Sequence, residues 1–262
     1  MRILWHIFTD PVGQAPYVER LQRYLGDLAG PDVKLDLVGL DPPDTHLHRL
    51  SELRTGAQVV ANLIEAEPRG YDAVAIGHYQ DPGLWEARAA LDVPVLGLGE
   101  ASMLFACMFG RRIGLVTISP VFIPWHEEQV HRYHLDDRVV GVSAIETSVQ
   151  RFIEACEDPS AYAELKRTFV EQAAALARGG AEVIIPAGGL PAVLFRDEQR
   201  FETAGAVILN PVPVLVRQAE AAASLHRRAG FGTSRHSTFA APSAAAREQY
   251  VEQLGGHLQP IV

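Results

Sequence analysis

Cysteine is scarce, with two residues in 262, and neither stands in a CxxC pair. Cys107 lies in Ala101-Ser-Met-Leu-Phe-Ala-Cys-Met-Phe109 and Cys156 in Phe152-Ile-Glu-Ala-Cys156, both with helical patterning. They read as structural thiols rather than redox or nucleophilic groups. No apolar run approaches the roughly 20 residues that a spanning helix needs. The N-terminus lacks the layout of a signal peptide, Met1-Arg-Ile-Leu-Trp5 entering a strand at once, so the expectation is a soluble, cytoplasmic protein. Positive charge is also short. A formal net charge of −9 and a pI near 5.6 argue against a nucleic-acid or anionic-membrane partner. GxGxxG, Walker and GxSxG motifs are absent, so dinucleotide, nucleoside-triphosphate and serine-hydrolase readings have no motif behind them.

What the chain does have is short apolar runs alternating with helical periods, the pattern of parallel sheets covered on both faces. Strands are predicted over 3–8, 33–38, 73–76, 93–98, 112–117, 139–142, 182–185 and 206–209. Helices are predicted over 17–28, 50–67, 84–91, from 99–100 onward, and over 125–133, 161–178, 190–202 and 210–227, with a short one over 243–254. One stretch is repeated. Arg69-Gly-Tyr-Asp-Ala-Val-Ala-Ile-Gly-His78 is echoed by Gly179-Gly-Ala-Glu-Val-Ile-Ile-Pro-Ala-Gly188, which makes His78 and Gly188 equivalent positions. The expected fold is therefore α/β, with two pseudo-symmetric lobes that each carry a parallel sheet flanked by helices and face one cleft. The expected lobes are 1–111 with 210–262, and 112–209. From Gly230 the composition shifts to an extended arm, either docking across a neighbouring subunit or solvated.

Ligands of parallel sheets bind beyond the carboxyl ends of the strands, so the residues there are the candidates for chemistry. His78 follows Gly77 at such an end, and its imidazole suits acid/base work near neutral pH or metal ligation. Tyr79 and Gln80 follow it as candidate substrate contacts, and Asp81 can cap the next helix. Gly188 and Gly189 offer backbone N–H donors for an anion, against the plainer reading of a packing turn. Asp10, in the loop after the first strand, is a ligand or proton-handling group, or else a turn cap. His6 faces either the cleft or the core. Glu100 lines the cleft or caps a helix, and Thr117 and Ser119 are hydroxyl donors suited to a carboxylate. His126, His131 and His134 share a helix with Glu127 and Glu128, but the five-residue spacing from His126 to His131 does not put both on one face.

Three runs carry a family resemblance: Gly77-His-Tyr-Gln-Asp-Pro-Gly-Leu84, Gly99-Glu-Ala101 and Gly110-Arg-Arg-Ile-Gly-Leu-Val-Thr117. With them the chain resembles the Asp/Glu/hydantoin racemase superfamily, on the side of its hydantoin and allantoin racemase branch. The resemblance implies two pseudo-symmetric α/β lobes with the active site between them, no cofactor, a small carboxylate or cyclic amide as substrate, and a homo-oligomer. It also implies one catalytic cysteine from each lobe. Here those positions fall on His78 and Gly188, so two-thiol racemisation is not available. The Asn-Pro-Asn-like run of the family is replaced by Phe8-Thr-Asp-Pro11.

The leading expectation is a cofactor-independent, isomerase- or decarboxylase-type enzyme that works through an enolate-like intermediate, with His78 as sole acid/base. Two alternatives stand beside it. One is metal-assisted hydrolysis, with His78 joined by His6, Asp10 or Glu100 around a divalent ion. The other is a non-catalytic ligand-binding protein on a racemase scaffold.

Overall fold

The computed structural model describes residues 1–8, 13–44, 48–256 and 258–261. In chain order the elements are β1 (Arg2–His6), α1 (Ala15–Leu28), β2 (Lys34–Leu40), α2 (Arg49–Ala66), β3 (Ala73–Ile76), α3 (Leu84–Ala90), β4 (Val95–Gly97), α4 (Leu98–Ala106), β5 (Ile113–Thr117) and α5 (Ile123–Arg132). They continue with β6 (Val139–Ala144), α6 (Val149–Ala155), α7 (Pro159–Arg178), β7 (Val183–Pro186), α8 (Gly189–Leu194), β8 (Glu202–Thr203), β9 (Ala206–Ile208), α9 (Pro211–Ala229), α10 (Ala244–Leu254) and β10 (Leu258–Pro260).

Two compact units result, Met1–Ala15 with Leu25–Gly97 and Leu215–Val262, and Pro16–Tyr24 with Leu98–Val214. Residues 16–24, 98–111 and 210–214 thus group with the second unit, whereas the sequence pattern grouped them with the first. The first unit holds a five-stranded sheet in the order β10-β2-β1-β3-β4, and the second a five-stranded sheet in the order β6-β5-β7-β9-β8. Strands β1 to β4 run parallel, as do β5, β6, β7 and β9, while β10 and β8 are antiparallel at their edges. The repeated stretches occupy matching places: β3 lies between β1 and β4, and β7 lies between β5 and β9. Every residue of β3, β5 and β7 is buried, as expected of strands covered on both faces.

Four features depart from the sequence pattern, strand β10 among them. Helix α8 stops at Leu194 instead of running on to 202. The chain then turns through Ala204 (φ 48°) and Gly205 (φ 82°) into the β8–β9 hairpin, and two successive positive φ values are what a tight hairpin turn requires. Helix α6 is an additional element, capped by the Ser148 hydroxyl accepting from the Arg151 N–H.

The C-terminal arm docks on its own unit. The Arg235 guanidinium donates to the carbonyls of Arg88, Ala89 and Leu91 at the carboxyl end of α3, where the helix leaves its acceptors unpaired. Phe239 meets Trp85 edge-on with ring centroids 6.4 Å apart. The Tyr250 hydroxyl of α10 donates to the Ala57 carbonyl of α2, and β10 pairs along β2, covering an edge that would otherwise be open. No described helix is long and apolar enough to cross a membrane.

Candidate functional site

Side chains alternate across a strand, so His6, Phe8 and His78 emerge on one face of the first sheet, the face covered by α2. The register confirms the spacing: His6 lies opposite Ile76, and the Gly77 N–H donates to the His6 carbonyl at 2.8 Å. The Phe8 ring sits between the two imidazoles, 5.6 Å from His6 and 4.1 Å from His78, centroid to centroid. On the other face the Trp5 indole lies under Gly77, and a Cβ at residue 77 would stand 2.2 Å from Trp5 Nε1. Glycine is therefore required before His78.

Helix α2 supplies the polar groups. The imidazole of His48 caps it, Nδ1 accepting from the Ser51 N–H at 3.1 Å. In the first turn Glu52 reaches across, its Oε2 3.6 Å from His78 Nε2, with side-chain exposures of 19% and 24%. Nε2 itself is buried and has no hydrogen-bond partner at closer range. Three turns further on, Asn62 Nδ2 lies 3.1 Å from His6 Nε2. Because an amide nitrogen only donates, His6 Nε2 accepts and the ring is neutral. Burial pushes the His6 pKa down to about 3, with the neighbouring His78 a smaller influence in the same direction. His6 therefore faces the core and not solvent.

The other predicted residues divide. Tyr79, in the turn after β3, is 1% exposed and packs in the core. Gln80 is partly exposed in the same turn. Asp81 is buried at a positive φ of 53°, and its carboxyl group stands where a Cβ at Gly97 would be, 2.4 Å away. Asp10 lies outside the described residues.

In the second unit, Thr117 ends β5 and is buried, its Oγ1 3.2 Å from His126 Nε2, while His126 Nδ1 lies 3.1 Å from Gln129 Oε1. An amide oxygen only accepts, so Nδ1 carries a hydrogen. The Thr117 hydroxyl is thus within hydrogen-bond distance of a buried ring inside its own unit. The Ser119 hydroxyl accepts from the Val121 N–H and caps a short helical turn, again a local role. The Gly188 N–H is turned back to the Pro186 carbonyl at 2.9 Å, so it too is engaged within the chain. Gly189 opens the six-residue helix α8, and Glu100 is a half-buried residue in the first turn of α4.

Both thiols behave as structural groups. Cys107 Sγ donates to the Met103 carbonyl and Cys156 Sγ to the Phe152 carbonyl, and burial raises the Cys156 pKa. Among the described residues no group of three His, Cys, Asp or Glu side chains is placed to hold a metal ion.

Glu52, Phe8 and Asn62 were not identified from sequence. Glu52 looks like any acidic residue in a first helical turn, where it complements the helix dipole. Only the packing of α2 over the ends of β1 and β3 brings it to His78.

The comparisons agree with this architecture. The Asp/Glu/Hydantoin racemase family profile matches residues 9–219. A hydantoin racemase of Pseudomonas sp. (strain NS671) is 30% identical over 196 residues, 75% of this chain and 73% of that protein. A hydantoin racemase of Rhizobium meliloti is 29% identical over 189 residues, 72% of this chain and 73% of that protein. Among solved structures, the allantoin racemase from Klebsiella pneumoniae superposes with a TM-score of 0.76 at 20% identity, covering 93% of this chain and 94% of its own, a likeness of fold. With matched β-α-β order in both units and a family match over four-fifths of its length, the chain belongs to the Asp/Glu/hydantoin racemase family.

Proposed function

We propose that the protein is a cofactor-independent enzyme of isomerase or decarboxylase type that moves a proton at a carbon next to a carbonyl group, with His78 as its only acid/base side chain. The observation that carries this is the His78 imidazole itself: it stands at the carboxyl end of β3, partly open to solvent, with a carboxylate 3.6 Å from its buried nitrogen. Of the two positions that the family resemblance assigns to thiols, residue 78 holds a proton-carrying side chain and residue 188 holds none.

A proton next to a carbonyl is acidic only as far as the resulting enolate is stabilised, and a positioned base near neutral pH contributes roughly 10²–10⁴-fold to its removal. One base works from one face. It suffices for isomerisation, tautomerisation or one-sided protonation after loss of carbon dioxide, whereas inversion needs a second proton donor opposite. The substrate class follows the relatives' names and is a small carboxylate or a cyclic amide such as a hydantoin. The same reading expects a homo-oligomer in the cytoplasm.

The test is deuterium incorporation from D₂O into a panel of small carboxylates, hydantoins and keto acids, wild type beside His78→Ala. Exchange at one carbon that drops by about 10²-fold or more in the variant supports the reading. Exchange that survives His78→Ala refutes it. Tight binding without exchange would instead favour a ligand-binding protein on this scaffold.

A further inference from the structure

We infer that Glu52 is a positioning residue that fixes the tautomer of His78, so that Nδ1 is the nitrogen that exchanges the proton; this rests on the proposed role of His78. Nε2 is the buried nitrogen, and a Glu52 carboxylate oxygen lies 3.6 Å from it. That separation exceeds a hydrogen bond by a few tenths of an ångström, within what catalytic contacts close when a ligand binds. An ionised carboxylate only accepts, so the arrangement with a hydrogen on Nε2 is the stable one. The opposite tautomer would face a buried lone pair against a carboxylate. With Nε2 holding its hydrogen, the basic lone pair lies on Nδ1.

The surroundings reinforce the assignment. Glu52 sits in the first turn of α2, where the partial positive charge of the helix end favours the anion. Phe8 covers one face of the His78 ring at 4.1 Å and restricts its rotation. His6, the next titratable group on the β1 side, is held neutral by burial and adds no competing charge.

The division of labour resembles that of an acid/base imidazole oriented by a carboxylate that never itself exchanges with the substrate. Here the partner comes from a helix first turn 26 positions earlier in the chain.

The experiment combines ¹⁵N spectra of the His78 ring with exchange kinetics, on wild type, Glu52→Ala and Glu52→Gln. Wild type is expected to show hydrogen on Nε2 in the neutral ring. Glu52→Ala is expected to give a mixture of tautomers and a kcat roughly 10²-fold lower with little change in KM. Glu52→Gln keeps an acceptor without the charge and should fall between them. Glu52 is partly exposed, so both variants should melt close to wild type, and Glu52→Gln serves if Glu52→Ala does not fold. An unchanged tautomer in both variants, or an unchanged kcat, overturns the inference while leaving His78 as base. Exchange that survives His78→Ala overturns the base itself, and the ring spectra still report on Glu52 independently.

Discussion

Replacing Gly77 by alanine tests the packing that sets the site. A Cβ at residue 77 would stand 2.2 Å from Trp5 Nε1, 2.7 Å from Trp5 Cε2 and 3.1 Å from the His6 carbonyl oxygen. The first two atoms belong to a rigid indole that is 1% exposed, so neither can swing aside as a flexible chain end would. Overpacking of this kind costs typically 1–3 kcal/mol, and two contacts well inside van der Waals range place Gly77→Ala at about 3 kcal/mol. That corresponds to a fall in melting temperature of roughly 6–12 °C for a chain of this size. The assay is urea unfolding followed by tryptophan fluorescence, together with the double-mutant cycle with Trp5→Leu. The leucine side chain ends before the positions of Nε1 and Cε2 that block residue 77, so Gly77→Ala should cost at least about 1 kcal/mol less in that background. The rescue should be partial because the His6 carbonyl contact remains. A loss below about 0.5 kcal/mol in the single variant, or strict additivity in the cycle, would refute the argument that the indole dictates glycine before His78.

Other perturbations have outcomes of known sign. His6 is neutral when folded, with its pKa lowered from 6.5 to about 3, so its contribution is complete above pH 6.5. As pH falls from there the unfolded chain takes up the proton and the folded one does not, so stability should drop by about 1.4 kcal/mol per pH unit down to about pH 3. His6→Gln should flatten that part of a urea-midpoint-against-pH curve, and an unchanged slope would contradict the buried, neutral assignment. Arg235→Ala removes a guanidinium that closes the end of α3 and should cost about 1 kcal/mol, read as a lower urea midpoint; no change would mean that the arm is not held there. Gly188→Cys should fold with a loss under about 1.5 kcal/mol, because the backbone is extended (φ 164°) and the new Cβ is tight only against the Pro191 ring at 3.0 Å, with Ile118 at an ordinary 3.9 Å. Failure to fold would show that residue 188 demands glycine.

The strands that matter most were legible because burial on both faces leaves an unbroken apolar run. Ala73–Ile76 and Val183–Pro186 read directly, each announced by a glycine and an acidic residue. Two of the four edge strands gave no such signal. Strand β8 has two residues and β10 three, too few for alternation to register, and each is defined by its partner. Helix α8 read too long because Phe195 and Phe201 look like further apolar periods. They instead fold back on Phe169, with centroids 4.8 Å and 5.8 Å away, through a turn that no helix could make. The arm was ambiguous because arginine is equally at home in water and on helix-end carbonyls.

The site was half legible for a similar reason. His78 shows because Gly-His after an apolar run is unusual, while the neighbouring Tyr79 is buried. Its partner could not be read, because nothing in the first turn of α2 distinguishes Glu52 from a solvated charge until the helix is laid across β1 and β3. The three rings on that face make the point in physical terms. His6 and His78 are the same side chain, separated by one phenylalanine ring, yet their surroundings differ completely. His6 has no exposed surface and an amide donor at 3.1 Å, which together hold it neutral across the physiological range. His78 has a quarter of its side chain exposed and a carboxylate oxygen 3.6 Å from Nε2. One imidazole is thus shut away without charge while the other stays partly open to solvent, and sequence alone cannot say which is which.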